Sequence, residues 1–474
     1  MDRRHPSGRL FAPTGDLTPA APKATEAAEA TQPATRYPSN ASGHRPNALL
    51  RNRSFTIFWG GQTLASLGNM FALIAMPLLV FQATGQVVQM GLVTATFTIS
   101  QLVAGLFAGQ IIDSLNRRVV MIGCDAGRAL IFASIPLVWL TAGPQVWLIY
   151  VVTAAGSMLG MIFQVGFVTT VANLADKDQI ITANGYINAS MAITAMIGPL
   201  LGGVAVERFG PALALSAQAA AFAVSALSLL FVRLRPAPVE AAATGAEQRG
   251  ASNLLAGVRF LFDQPVLRAV TVILLVYGLA TGAALDLFIF HIKIDLHQGG
   301  TAIGFVFAAS SIGAIIGSLG AGLIRKRLGF GPTYLSAVIL TGIPLFVIGL
   351  APNLYALVGL ATIFQLASMV MGINSMSLRQ EITPNALLGR VTSAFWTISG
   401  VMTPLGAAVG TALAARFGAP ATFLCMGLLV SVIGGGGFGS RARERQPAGS
   451  AISGAPPAGA AQPQAQPEAQ AVGV

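Results

Sequence analysis

Twelve stretches of 20 or more mostly apolar residues decide what this chain can become. They run near 55–81, 87–112, 119–141, 146–175, 183–206 and 211–232, then 267–290, 300–323, 331–351, 353–378, 390–415 and 418–438. A helix needs about 20 apolar residues to cross the hydrocarbon core of a bilayer, so each stretch predicts one membrane-spanning α-helix. Some breaks between them are slight, such as "APN" at 351–353 and "FGAP" at 417–420. Composition points the same way. Only 9% of the 474 residues are charged, against roughly 25% in a soluble domain, and the mean hydropathy is +0.69. An all-α membrane protein follows.

The polar remainder divides the chain. Residues 1–50 and 440–474 are rich in Ala, Pro, Gly, Thr and Gln without apolar periodicity and read as disordered tails. Six spans fall in 51–232 and six in 267–439, separated by a polar segment, 233–266. Within that segment "NLLAGVRFLFDQ" has helical spacing behind a Ser/Asn start, which predicts a short helix on the membrane face; a plain linker is the alternative. With both tails on one side, 25 of the 28 Lys and Arg residues lie there, leaving Arg208, Lys293 and Arg416 opposite. Basic residues accumulate on the cytoplasmic side, so both tails are expected in the cytoplasm of a bacterium, beneath its plasma membrane.

Several classes of function recede. The net charge of +11 sits at span ends rather than on one face, which argues against a nucleic-acid partner. The N-terminus shows no cleavable signal peptide. Cys124 and Cys425 both fall inside apolar runs, so neither a disulfide framework nor a metal site is expected. His5, His44, His291 and His297 all fall in the tail or outside the spans, and no Gly-rich phosphate loop appears. No catalytic set and no cofactor are expected; the chain reads as a non-enzyme.

Glycines reveal an internal repeat. A Gly-x-x-x-Gly pair occurs at Gly105/Gly109, Gly198/Gly202, Gly313/Gly317 and Gly406/Gly410, in spans two, five, eight and eleven. The offsets match: 198 − 105 and 406 − 313 are both 93, while 313 − 105 and 406 − 198 are both 208. Small residues at this spacing let helix backbones approach closely. The unit is therefore three helices, repeated four times, and an odd unit must invert at each copy while two copies restore the direction. This nesting is that of the major facilitator transporters. At the 208 offset Arg117 aligns with Arg325 and Arg118 with Lys326, but Asp113 aligns with Ala321. The fold repeats and one acid does not.

The motifs then resemble that family residue by residue. "GQIIDSLNRRV" resembles the signature Gly-x-x-x-Asp-Arg-x-Gly-Arg-Arg, keeping Gly109, Asp113, Arg117 and Arg118. Ser114 and Asn116 depart from it; Asn is the mildest replacement for a glycine in a left-handed turn. "GYINASMAITAMIGPLLGG" resembles the antiporter motif of the fifth helix, with Gly185, Gly198, Pro199, Gly202 and Gly203 in place and Thr194 departing. The first helix is similar to that of enterobactin-type siderophore exporters and macrolide efflux pumps, among the drug:proton antiporters, with Asn69 where an acid often stands. The resemblance covers about 50–440. It implies two pseudo-symmetric six-helix bundles that rock about a central cavity, a latch at Asp113, Arg117 and Arg118, and export rather than import.

Ionisable residues within a bilayer are costly and mark function by default. Asp125 and Arg128, three apart, are expected to pair with each other. Asp286 has no basic residue within one helical turn. Burial disfavours the charged form of a carboxylate, so Asp286 is the candidate proton carrier; a solvated acid at the cavity mouth is the other reading. In the fold implied by the resemblance, spans one, four, seven and ten line the cavity, and Gln62, Asn69, Gln164, Tyr277 and Gln365 lie near their midpoints. One polar residue per helix among Phe and Met suits an amphipathic ligand, while interhelical hydrogen bonding is the competing use of each. The sequence thus predicts proton-coupled efflux of a small organic molecule, a drug, siderophore or secondary metabolite, by a monomer. A non-transporting receptor and an importer of the same fold are the alternatives.

Overall fold

The computed structural model describes residues 49–174, 179–232, 251–351 and 353–444. Among these residues every regular element is helical. The first half comprises α1 (Arg53–Thr84), α2 (Val87–Ser114), α3 (Arg117–Ala142) and α4 (Val146–Leu174), followed by a hydrogen-bonded run, Ile180–Phe231. That run breaks at Gly210, whose φ of 79° and ψ of 160° leave the helical region. A side chain would be strained there, and Pro211 opens a new helix with its fixed φ. The run is therefore two helices, α5 (180–209) and α6 (211–231).

α7 (Ala251–Asp263) precedes the second half. There α8 (Pro265–Thr281) and α9 (Ala284–Phe290), with a π-turn at His291–Asp295, together make one span. The remaining helices are α10 (Gly300–Leu328), α11 (Phe330–Ile348), α12 (Leu354–Ile382), α13 (Asn385–Phe417) and α14 (Ala419–Gly437). Eleven described helical runs are long and apolar enough to cross a membrane, and the break at Gly210 turns them into twelve spans in two six-helix halves. Residues 1–48, 233–250 and 445–474, which hold both tails and part of the segment between halves, lie outside the described residues.

Local chemistry explains the boundaries. Asn52 accepts hydrogen bonds from the backbone N–H groups of Ser54 and Phe55 and so starts α1. Asn353 does the same for α12 through Ala356. Asn116 departs from its expected left-handed turn. Its φ of −63° and ψ of 111° are extended, and its side chain caps α3 at Arg118 and Val119. An amide at the N-cap satisfies donors the helix cannot, which is why Asn serves here where the signature has Gly.

The outer surface is apolar. Leu130, Leu140, Leu319 and Phe209 are each about two-thirds or more exposed, as lipid-facing side chains are. The aromatic rings of Trp147 and Tyr355, near helix ends, are exposed as well, matching the interfacial belt.

Glycines of the repeated pairs lie at helix crossings in all four units. A Cβ on Gly313 or Gly317 would collide with the carbonyls of Thr362 or Leu366, so α10 lies directly on α12. Gly406 approaches the Leu279 carbonyl in the same way, setting α13 on α8. The first half pairs the corresponding helices with side chains rather than carbonyls against the glycines, α2 meeting α4 where Gly105 faces Met161 and α5 meeting α1 where Gly198 faces Met70. Each pair marks the crossing of neighbouring inverted units.

Candidate functional site

Between the halves lies a cavity of about 530 Å³, bounded by α1 and α5 on one side and α9, α10 and α12 on the other. It runs from Pro199 and Ala284 toward Ser318 and Met369. The latter pair points to the face where residues 49 and 444 end, here termed the tail face. The opposite, far face is sealed.

Three hydrogen bonds between the halves occur among the described residues. Glu207 Oε2 of α5 accepts from the Thr301 N–H at 2.7 Å, capping the N-terminus of α10 with a carboxylate, as the helix dipole favours. Thr94 Oγ1 of α2 donates to Asp286 Oδ1 of α9 at 3.1 Å. Ser311 Oγ of α10 donates to the Ala195 carbonyl of α5 at 2.9 Å. Close backbone packing adds to them: a Cβ on Gly300 would lie 2.6 Å from the Gly203 oxygen. The rings of Phe81 and Phe290 meet edge to face at 5.4 Å. All of these lie between the far face and mid-depth.

The Ser311 bond has a traceable origin. Pro199 has no N–H, so the helical bond that would end four residues back, on Ala195, is missing. Its carbonyl is free to serve another donor, and the opposite half supplies one. Ser311 Oγ also lies 3.0 Å from the Phe307 carbonyl of its own helix, so a single hydroxyl proton has two available acceptors. No backbone angle inside Ile180–Phe231 departs from helical values except at Gly210. Pro199 therefore changes hydrogen bonding without breaking the helix.

Asp286 is fully buried, and its Oδ2 has no partner among the described residues. This places it inside the seal rather than at a solvated mouth. His291 also differs from expectation. It is buried rather than outside, with Nδ1 2.6 Å from Asp295 Oδ2 and its ring against Phe423. The π-turn carries it inward, and sequence periodicity does not register such a turn.

The first half holds a second polar system, within itself. Arg128 Nη1 lies 3.3 Å from Asp125 Oδ1, and Ser225 Oγ donates to Asp125 Oδ2 at 2.6 Å. Gln62 Nε2 donates to Ser225 at 2.9 Å, while Arg128 and Gln218 both donate to Asn69 Oδ1. The Arg128 guanidinium stacks 3.6 Å above the Phe222 ring. These contacts tie α1, α3 and α6 together. In the second half Tyr277 and Ser368 share a hydrogen bond of 3.0 Å.

Four of the five polar residues expected along the cavity thus stand elsewhere. Gln62, Asn69 and Tyr277 are held by other helices and are not among the residues lining this cavity; Gln164 is exposed and lies outside its lining too. Buried polar groups need partners, and neighbouring helices supply them. Gln365 does line the cavity.

At the tail face Gly109 is buried in α2, and Arg117 starts α3. The Asp113 side chain lies outside the described residues. Arg118 Nε donates to the Leu229 carbonyl at 3.0 Å, and its Nη2 donates to that of Leu230, so the arginine closes the C-terminus of α6. In the second half, Arg325 meets Glu381 of α12 at 2.6 Å. The acid missing at Ala321 is thus supplied from another helix. Gly185 has open space around it, whereas Gly202 faces the backbone of Phe71.

Sequence reasoning missed Thr94, Glu207, Ser311 and Glu381. Only Ser311 left a local trace, through the carbonyl that Pro199 must free.

The comparisons agree with this architecture. The Major Facilitator Superfamily model matches residues 58–297, about half of the chain. The chain is 28% identical over 380 residues to multidrug efflux pump Tap of Mycolicibacterium fortuitum, covering 78% of this chain and 91% of that protein. It is 25% identical over 351 residues to enterobactin exporter EntS of Citrobacter koseri, covering 74% and 81%. Among solved structures, nucleoside transporter NupG superposes with a TM-score of 0.67 at 14% identity, over 81% of this chain and 98% of that one. A bacterial homologue of iron transporter ferroportin in the inward-facing state gives 0.61 at 15% identity, over 82% and 99%. Twelve spans in two six-helix halves, a cavity between them and a matching family model lead to one conclusion: the chain is a multi-pass membrane protein that belongs to the Major Facilitator Superfamily.

Proposed function

We propose that the chain exports a small organic molecule by alternating access, coupled to protons, as a monomer in a bacterial plasma membrane. The observation that carries this reading is the cavity between the halves, with the contacts that join them gathered toward its far side. Rocking the halves breaks such contacts and remakes others on the opposite face. The efflux relatives set the direction. The basic bias of the tail side supports an orientation with both tails, the 233–266 segment and α7 in the cytoplasm. The tail face is then the cytoplasmic one, and the substrate enters from there.

Asp286 is the proposed proton carrier. Its bond to Thr94 crosses the seal, and its second oxygen is unpaired within a buried site. Separation of α2 from α9 would open this carboxylate to the outer solution, where a proton is available. Re-sealing then carries the neutral acid inward, since an unpaired buried charge is costly, and release of the proton into the cytoplasm-facing cavity, lined by the neighbouring Ala284 and Leu285, completes its exchange for substrate. Gly109, Asp113, Arg117 and Arg118 are proposed to latch the cytoplasmic face when the halves rock the other way. The Asp125–Arg128 pair is proposed to hold the first bundle rigid.

Flux in vesicles tests the reading. Everted membrane vesicles containing the chain should accumulate a lipophilic dye on energisation, and vesicles lacking it should not. Cysteines at Gln298 and Ser440, in a Cys425→Ala background, should label from outside and inside intact cells respectively. Equal flux in both vesicle types, or outside labelling at position 440, would contradict it.

A further inference from the structure

We infer that the cavity selects neutral, largely apolar molecules, recognised through the Gln365 amide; this rests on the export reading above. No described residue lining the cavity carries a charge, and the only polar side chains there are Ser310, Ser311, Ser318 and Gln365. The serine protons are already engaged. Ser310 donates to the Val306 carbonyl at 2.7 Å and Ser318 to that of Ala314 at 2.8 Å. Ser311 is held by Ala195 or Phe307. These hydroxyls therefore offer a ligand only lone pairs. Gln365 makes no hydrogen bond among the described residues, so its amide presents two donors and one acceptor.

The charges of the bundle are behind this wall. Arg128 is taken up by Asp125, Asn69 and the face of Phe222, and Asp286 is turned to Thr94. An anion entering the cavity would lose its hydration with no cation in the wall to replace it, and a cation would find no carboxylate there. Desolvating an unpaired ion is far more costly than desolvating a carbonyl or hydroxyl that finds a partner. The volume falls in the range of drug-sized ligand sites, and the wall of Met70, Leu73, Phe288, Phe307 and Phe364 suits flat apolar bodies. The wall thus favours an uncharged drug-like compound over a polyanion.

Two dyes that differ by one sulfonate isolate the charge. The full chain in phosphatidylcholine nanodiscs is titrated with neutral N-phenyl-1-naphthylamine, with the anion 8-anilino-1-naphthalenesulfonate and with the cation ethidium, against empty nanodiscs. The neutral dye should bind saturably, and the two ions at least about tenfold more weakly. Gln365→Leu should weaken the neutral dye roughly five- to tenfold, the loss expected for one buried hydrogen bond. Gln365→Lys should admit the sulfonate, a gain that misfolding cannot mimic. Saturable binding of either ion as tight as that of the neutral dye overturns the inference while export stands. Failure of Gln365→Lys to gain the sulfonate, with the neutral dye still bound by the unmodified chain, also overturns Gln365 as the recognising group. Absence of saturable binding by all three dyes, with flux of a charged compound intact, overturns neutrality; absence of any flux removes the export reading and this inference together.

Discussion

Thr94 and Asp286 are joined by a 3.1 Å hydrogen bond although 192 positions separate them, and that bond ties α2 of one half to α9 of the other. Among the described residues it is the only hydrogen bond that the buried carboxylate makes, since Oδ2 has no partner there. Thr94→Val removes it in an isosteric way. A buried polar group left unpaired costs about 1–3 kcal/mol, so the variant should melt at a lower temperature in detergent, while Thr94→Ser restores the midpoint. A cysteine at Ala284, in a Cys425→Ala background, should also become more reactive from outside in Thr94→Val. Unchanged melting and labelling would mean that the bond does not hold the seal.

Pro199 and Ser311 act through one carbonyl. Pro199→Ala restores an N–H that competes with Ser311 for the Ala195 oxygen, so the bond across the interface weakens. Ser311→Ala removes the same bond from the other side. The two single variants should therefore reduce transport by similar factors, and the double variant by little more than either. Simple additivity of the two effects, measured as flux, would show that they act independently.

The Asp125–Arg128 pair is nearly closed to solvent, with side-chain exposures of 1% and 12%. Removing one partner of such a pair leaves an unpaired buried charge, at a cost of about 3–5 kcal/mol. Asp125→Leu and Arg128→Met should each lower the melting midpoint sharply, and the double variant should recover most of the loss. A double variant as unstable as the sum of the singles would show that the wider network, through Ser225 and Asn69, carries the stability instead.

Two glycines of α10 make a matched test of the repeat. A Cβ at Gly313 would strike the Thr362 carbonyl, whereas one at Gly322 meets nothing within 4 Å. Gly313→Ala should cost about 1–3 kcal/mol through overpacking, and Gly322→Ala should be neutral or slightly stabilising because alanine favours the helix. Equal melting of the two variants would remove the packing role given to Gly313.

What the sequence revealed follows from distance along the chain. Span length and the 93 and 208 offsets are local or periodic, so the twelve helices and the nested repeat were legible, including the break that Gly210 and Pro211 make. Partners far apart in sequence were not. Asp286 was recognisable by its lack of a nearby base, but Thr94 and its burial depend on how two halves meet. Gln62 and Asn69 were recognisable as polar residues in a span. Which way each faced depended on helix rotation, and α3 and α6 claimed them before the cavity could. Glu381 reaches Arg325 from another helix, so the repeat alignment, which compares equivalent positions, showed only the loss at Ala321.

As proposed, a proton taken up at Asp286 drives export through this cavity. Its most direct test is dye flux in proteoliposomes of the purified chain under an imposed pH gradient, comparing the unmodified chain with Asp286→Asn. In the unmodified chain the dye should move uphill against proton flow. Asp286→Asn should show no such movement, while downhill exchange of the dye persists at a comparable rate. Uphill movement by Asp286→Asn with unchanged dependence on the pH gradient would show that Asp286 does not carry the proton.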